Sequence, residues 1–321
     1  MTTATPGTVL TAIRYQIGTL RPVKDLLEAD VPIEKVNELL QKGVSGYSEL
    51  ELFPGELLVT SIRSSLDDAG VAPSEVDAVI IISESFARLF DLGALSGDMF
   101  RNVRNQSFDF LSELGINKAS VFCASYGGCT NLLQAALLAQ TLVERGLSRN
   151  VLLVAAEKFA SARSRLMDEA ISIAGDGIAS CLVKSDAAAA PGSFRLRHLS
   201  VAPYKKFQME GDVPNLLLEM FRAMKNAAAD CYDGCGWQPE DFRWLVLGDY
   251  NRMTSITYGK LLGFPPDRIF MENVGKMGHI PFDPLISLQN LYEQNKVLSG
   301  EPILMFLCGP VSCGSIVVEA I

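Results

Sequence analysis

The sequence predicts an α/β protein made of two similar halves, and three observations carry that expectation. An apolar stretch from residue 121 runs into a Gly-Gly turn holding Cys129; a helical run to Arg145, a stop at Gly146 and a second apolar stretch at 150–156 follow. The same succession recurs downstream: Gly263, a short apolar stretch, a glycine turn holding His279, a helical run, Gly300 and an apolar stretch at 303–307. Each copy is then closed by a glycine turn and an apolar strand, at 178–183 and 315–320. A repeated strand–helix–strand unit implies two α/β halves about a pseudo-two-fold axis, with Cys129 and His279 at equivalent sheet ends, where active sites form. Residues 186–192 (DAAAAPG) are the only composition break in the middle of the chain, so the halves are expected at 1–185, with the cysteine, and 186–321, with the histidine.

Residues 8–19 read as the first strand, and 25–41 alternate in a helical manner up to Gly43. A clearer amphipathic helix at 56–69 stops at Gly70, and Pro73-Ser74-Glu75 leads into a strand at 78–83. Residues 84–110 are a looser stretch rich in Phe, Leu, Arg and Asp, the kind of insertion beside a strand end that sets substrate choice, and 111–115 closes a helix. In the run 130–145, apolar side chains at 132, 133, 136, 137 and 143 form one broad face. The second half opens with a strand at 193–202, a loop with Lys205 and Lys206, and a helix from 213 to about 230. A strand at 244–247 enters Gly248-Asp249-Tyr250-Asn251; a helix at 253–262, a strand at 268–271 and a helix at 283–296 follow.

The chain of 321 residues, 48% hydrophobic and 20% charged, is an ordinary, rather apolar globular composition. A formal charge of −9 argues against nucleic acid or an anionic membrane as partner, while an acidic carrier protein needs only a local basic patch, for which Lys205, Lys206, Arg163 and Arg165 are candidates. Seven scattered cysteines, an odd count, point to a reduced, cytoplasmic setting. Cys231 and Cys235 bracket a loop, but with two histidines in the chain and no second Cys pair no metal site is expected. No apolar run reaches membrane-spanning length, and MTTATPGTV lacks the basic and apolar regions of a signal peptide.

Cys129 falls where helix N–H groups are unpaired and the dipole is positive, which favours thiolate; a buried cysteine on a tight turn is the plain alternative. His279 is the base to match it, with Asp283 one turn further on as an orienting carboxylate or as a helix cap. Asp249 faces the same region and is a second candidate to orient His279; Asn251 either donates to a bound substrate or caps the helix after it. His198 alternates opposite Leu196 on a strand and is held in reserve, a solvated strand residue otherwise. Cys123, Cys181, Cys308 and Cys313 lie in or beside apolar strands and read as core. Gly175-Asp176-Gly177 lacks the spacing of a nucleotide loop and reads as a turn between strands.

Over nearly its whole length the chain resembles the thiolase superfamily, close to the β-ketoacyl-acyl carrier protein synthase III group. The resemblance rests on GGCTNLLQAALLA, GDGIASCLV, the strand from Trp244, the glycine turn at 278 and LCGPVSCGSIVV. It implies a layered αβαβα thiolase fold and a homodimer. It also implies a cysteine that takes an acyl group from a phosphopantetheine thioester, on an acyl carrier protein or coenzyme A, and no permanently bound cofactor. No gap separates the cysteine turn from the 150–157 strand, so Cys129 rather than Cys123 falls on the family nucleophile; backbone N–H groups of Cys129 and Gly309 fall on the oxyanion hole.

The departures matter too. Where the condensing enzymes carry His-Gln-Ala-Asn, this chain has Gly248-Asp249-Tyr250-Asn251, and where they carry Gly-Asn it has Gly278-His279. The pair that serves decarboxylation is not intact, and Cys129, His279 and Asp283 resemble Cys-His-Asp acyltransferase relatives from natural-product pathways. Gly43-Val44-Ser45-Gly46 replaces the Gly-Ile-Arg of coenzyme A users, so a carrier arm is at least as well suited as donor. The resemblance thus implies transfer of an acyl group from Cys129 to an alcohol, amine or carrier thiol. A decarboxylative condensing enzyme and a non-catalytic partner subunit are the rival readings.

Overall fold

In the computed structural model, residues 7–29, 31–90, 98–167, 170–204 and 213–321 are described. The first half contains β1 (Thr8–Ile17), β2 (Thr19–Pro22), α1 (Ile33–Gln41), β3 (Gly46–Glu49), α2 (Pro54–Ala69), β4 (Ala78–Ile82), α3 (Met99–Glu113), β5 (Ser120–Ala124), α4 (Asn131–Glu144), β6 (Asn150–Glu157) and β7 (Gly177–Ser185). The second contains β8 (Phe194–Pro203), α5 (Val213–Cys235), β9 (Trp244–Leu247), α6 (Arg252–Leu261), β10 (Ile269–Phe270), α7 (Asp283–Glu293), β11 (Pro302–Cys308) and β12 (Ser312–Ala320).

The repeat read from the glycine spacing is visible in the strand pairing. Ten strands run in the order β10-β9-β11-β12-β8-β1-β7-β6-β4-β5. From the centre outward each side has the same pattern: an antiparallel pair of pairings (β1/β7 and β7/β6; β8/β12 and β12/β11), then parallel pairings about β4 or β9. The two sets meet at three residue pairs, from Thr8↔Leu196 to Leu10↔Phe194. β4 and β6 are buried on both faces, which is why they read as unbroken apolar runs (AVIII, VLLVAA) rather than as alternating ones.

Three clusters of buried side chains define the layers. The central one joins α4 (Leu132, Leu133, Ala136, Ala139) and α7 (Leu285, Ile286, Leu288) to strands from both halves. α2 and α3 cover the outer face of the first half, and α5 and α6 that of the second, giving the αβαβα order of the thiolase fold. Cys129 and His279 lie just before the two central helices.

Several local expectations change. Pro32 has no N–H to offer a helix, so 25–41 is a 3-10 turn (Val23–Ala29) followed by α1. α5 extends to Cys235. β2 and β3 form a small separate sheet that alternation did not reveal. On α4, Leu137 is exposed, and Ala135 and Ala139 are buried instead, because a helix packed against strands of both halves of the sheet must present small residues to them. Cys123 is exposed rather than core, because β5 is the edge strand; Cys181 and Cys313 are buried as expected, and Cys308 is half-buried. No helix among the described residues is long and apolar enough to cross a membrane.

Candidate active site

The cysteine arm is built by close approach of two turns. Cys129 occupies the middle of a 3-10 turn (Gly128–Thr130) that feeds the 14-residue α4. Gly127 N donates to Asn131 Oδ1 at 2.7 Å, and Thr130 Oγ1 donates to Gly127 O at 2.8 Å and pairs with Ser312 Oγ at 2.9 Å. Gly128 has φ +59°, and a Cβ there would lie 2.3 Å from Pro310 Cδ, so only glycine admits the 309–312 turn against the nucleophile. Cys129 is half-buried at the positive end of α4.

The histidine arm is pinned to the segment before β7. His279 N donates to Ile173 O at 2.7 Å and Gly175 N to His279 O at 2.9 Å, with Gly278 in the left-handed region (φ +77°) to make the bend. His279 Nδ1 lies 2.8 Å from Asp283 Oδ2, which also accepts from Asp249 N at 2.7 Å and Ile280 N at 3.3 Å. Held from three directions, Asp283 fixes the ring. Cys129 is the neighbour on the other side of the imidazole. That contact falls short of a well-formed hydrogen bond, which leaves the buried Nε2 unpartnered in the resting site. Burial disfavours the imidazolium, but the charges of Cys129 and Asp283, and the hydrogen bond to Asp283, outweigh it and hold the His279 pKa well above the ordinary imidazole value. The balance favours the protonated ring, whose N–H would face the sulfur.

Two further residues shape this arrangement. A Cβ on Gly248 would lie 2.9 Å from His279 Cε1 and 3.1 Å from Nδ1, so the imidazole fills the space that any side chain at 248 would need. Tyr250 packs its ring on the imidazole (centroids 5.2 Å apart, planes at 33°) and donates its hydroxyl to Cys308 O at 3.2 Å.

No model of a known protein family matches the chain. It is 23% identical over 340 residues to the β-ketoacyl-acyl carrier protein synthase III of Chlamydia muridarum, covering 94% of this chain and 97% of that protein. With the synthase III of Aquifex aeolicus it shares 24% over 258 residues, 77% of each. Among solved structures, ChlB3, described as an acyltransferase, matches with a TM-score of 0.80 over 98% of both chains at 16% identity. The Aquifex aeolicus synthase III structure matches at 0.74 over 98% of this chain and all of that one, at 17% identity. OleA of Xanthomonas campestris also gives 0.74, over 98% and 99% of the two chains at 15% identity. Over nearly its whole length the chain is thus similar in sequence to β-ketoacyl-acyl carrier protein synthase III proteins, and it shares the fold of these solved structures.

Within this site the remaining candidate residues separate. Asp249 is buried with Oδ1 accepting from Gly275 N at 3.2 Å and Oδ2 unpartnered; burial, and then the charge of Asp283, push its pKa well above the carboxylate range. It touches Asp283 through its backbone, and Asp283 rather than Asp249 bonds the imidazole. Asp283 is also not the cap of α7, since the cap position is Phe282. Asn251 is the cap of α6: Oδ1 accepts from Thr254 N at 2.9 Å and Nδ2 donates to Ala170 O at 3.2 Å. Both ends of its amide are thus engaged in the fold.

Gly309 packs tightly, a Cβ there falling 3.2 Å from Cys129 N, but its own N–H donates to Ser312 O at 2.9 Å. In this arrangement that donor is spent on its turn, and the Cys129 N–H is the expected oxyanion donor left. His198 pairs with Asp230 of α5 at 3.3 Å in the outer layer, away from Cys129. Arg165 is no carrier contact: it is buried, bound through two nitrogens to Asp176 (2.6 and 2.8 Å). Lys205 and Lys206 lie outside the described residues. The sequence reading passed over Tyr250, which sat inside the highlighted Gly-Asp-Tyr-Asn turn. It also passed over Tyr204, which donates its hydroxyl to Gly309 O, and Glu84. A cavity of ≈ 520 Å³ opens beside the cysteine turn at Ser125 and Tyr126.

Proposed function

We propose that this chain is an acyltransferase that loads an acyl group from a carrier-protein or coenzyme A thioester onto Cys129 and passes it to a second substrate. The observation that carries the reading is the imidazole of His279 standing between Cys129 and Asp283, in the space a side chain at 248 would occupy. In the first half-reaction the Cys129 sulfur attacks the thioester carbon, and the pantetheine thiolate departs and takes its proton from water, so that His279 keeps its own. The Cys129 N–H at the start of α4 faces charge developing on the carbonyl oxygen. In the second, the acceptor attacks the acyl-cysteine and the sulfur is released to the His279 N–H. No resident cofactor enters either step.

The description of ChlB3 as an acyltransferase supports transfer without decarboxylation, as does the lack of a histidine at 248. The test is intact mass after incubation with acyl thioesters: the wild type gains the acyl mass, and Cys129→Ala does not. An unchanged mass gain in that variant rejects the reading. Release of carbon dioxide from a malonyl thioester would mark a decarboxylative condensing enzyme, and inertness with co-purification of a second synthase a non-catalytic partner.

A further inference from the structure

Glu84 stands just beyond β4, and the reaction above does not use it. Its backbone is anchored: Glu84 N and Ser85 N both donate to the carboxyl group of Glu157 at the end of β6, the second at 2.9 Å. Its own carboxyl group lies over the nucleophile turn, where a Cβ on Gly128, the residue before Cys129, would be 3.7 Å from Glu84 Oε1. On its other side it lines the ≈ 520 Å³ cavity with Phe86, Met99, Val103, Tyr126 and Phe159. The side chain is accessible from that cavity although protein surrounds it on most sides, and it is near enough to His279 for the two charges to interact.

We propose that Glu84 is the general base for the second half-reaction, and that the acceptor is a hydroxyl compound with an apolar body held in this cavity. The proposal rests on the acyl-Cys129 reading and narrows its acceptor. A carrier thiol, with a pKa near the ~8.5 of free cysteine, supplies enough thiolate to attack without a base, and a carboxylate would repel that thiolate. An alcohol forms no useful amount of anion and must lose its proton as it attacks. His279 is unsuited to that task because it already holds a proton for the departing sulfur. In the step, the hydroxyl oxygen bonds to the acyl carbon while its proton passes to the Glu84 carboxylate. The C–S bond then breaks, the Cys129 sulfur keeps the electron pair beside the His279 N–H, and Glu84 later returns its proton to water. Burial raises the Glu84 pKa above the usual carboxylate value, with the His279 charge opposing, which moves it toward the range where a base works best. The cavity lies within the roughly 300–1,000 Å³ of small-molecule sites, and its lining is mainly apolar.

The test loads wild type, Glu84→Gln and Glu84→Asp with octanoyl-pantetheine, follows the acyl mass, and then adds benzyl alcohol. Glu84→Gln is expected to load at the wild-type rate and to discharge to the alcohol about 100-fold more slowly, with the rise of the discharge rate with pH flattened. Glu84→Asp is expected to restore part of the rate. Discharge of Glu84→Gln at the wild-type rate overturns the proposal, and so does a loading rate that falls in step with discharge, which would make Glu84 a support of the turn. An octanoyl-enzyme that benzyl alcohol discharges no faster than water alone overturns the acceptor class. A wild type that never gains acyl mass overturns the acyltransferase reading and this proposal with it, so the two failures are distinguishable.

Discussion

His279 and Gly248 are one feature written at two positions. The imidazole occupies the volume that a Cβ at 248 would enter, and Asp283 on one side and Tyr250 on the other leave the ring little room to move. Gly248→Ala is therefore expected to displace the imidazole from Cys129. Misplacing a catalytic group by about an ångström costs on the order of 100-fold in rate, while overpacking costs about 1–3 kcal/mol of stability. Acyl-transfer rate and thermal melting, measured together, check this: a full rate in Gly248→Ala would show that the ring does not need the space. The residue types at 129, 248, 279 and 283 were legible because glycine turns and few histidines leave little choice. Which carboxylate holds the ring was not, since Asp249 and Asp283 are equal candidates until the chain is folded.

At the scale of elements, the site depends on how strand ends are clamped. β4 and β6 run parallel, and Glu157 at the end of β6 uses its buried carboxyl group to hold the two backbone N–H groups that follow β4. Burial is the chief cause that pushes its pKa from 4.5 up to about 8. The sign follows from linkage. The folded chain keeps this proton while the unfolded chain loses it, so stability is full below about pH 4.5, falls as pH rises and levels off above about pH 8. The melting temperature of Glu157→Gln should lack this contribution to the decline, measured from pH 5 to 9; an identical slope in wild type and variant would assign it to other groups. The sequence shows Glu157 only as the polar end of an apolar strand, because the partner N–H groups lie more than seventy residues away.

For the whole molecule, the duplicated topology brings the Cys129 and His279 turns to one cleft and leaves β5 and β10 as sheet edges. β5 has partly exposed Val121 and Phe122 and exposed Cys123 along an unpaired edge, the sort of strand proteins cover or pair. Pairing with the same strand of a second copy would extend the sheet and bury them. The chain is then expected to sediment at about twice its 34.8 kDa, and Phe122→Lys to shift it toward the monomer. A wild type that sediments as a monomer at micromolar concentration would count against the dimer.

The sequence by itself determined the repeat, the strand–glycine–helix units and the residue types available for chemistry. These are local properties: a glycine stops a helix or opens a turn wherever the chain goes, and apolar period is set by the element alone. Only the tertiary structure decided that Arg165 is bound to Asp176, that Asn251 and the Gly309 N–H are engaged in the fold, and that Glu84 overlooks the nucleophile turn. Each of these depends on which group from a distant segment fills a particular few ångströms, and spacing along the chain carries no such information.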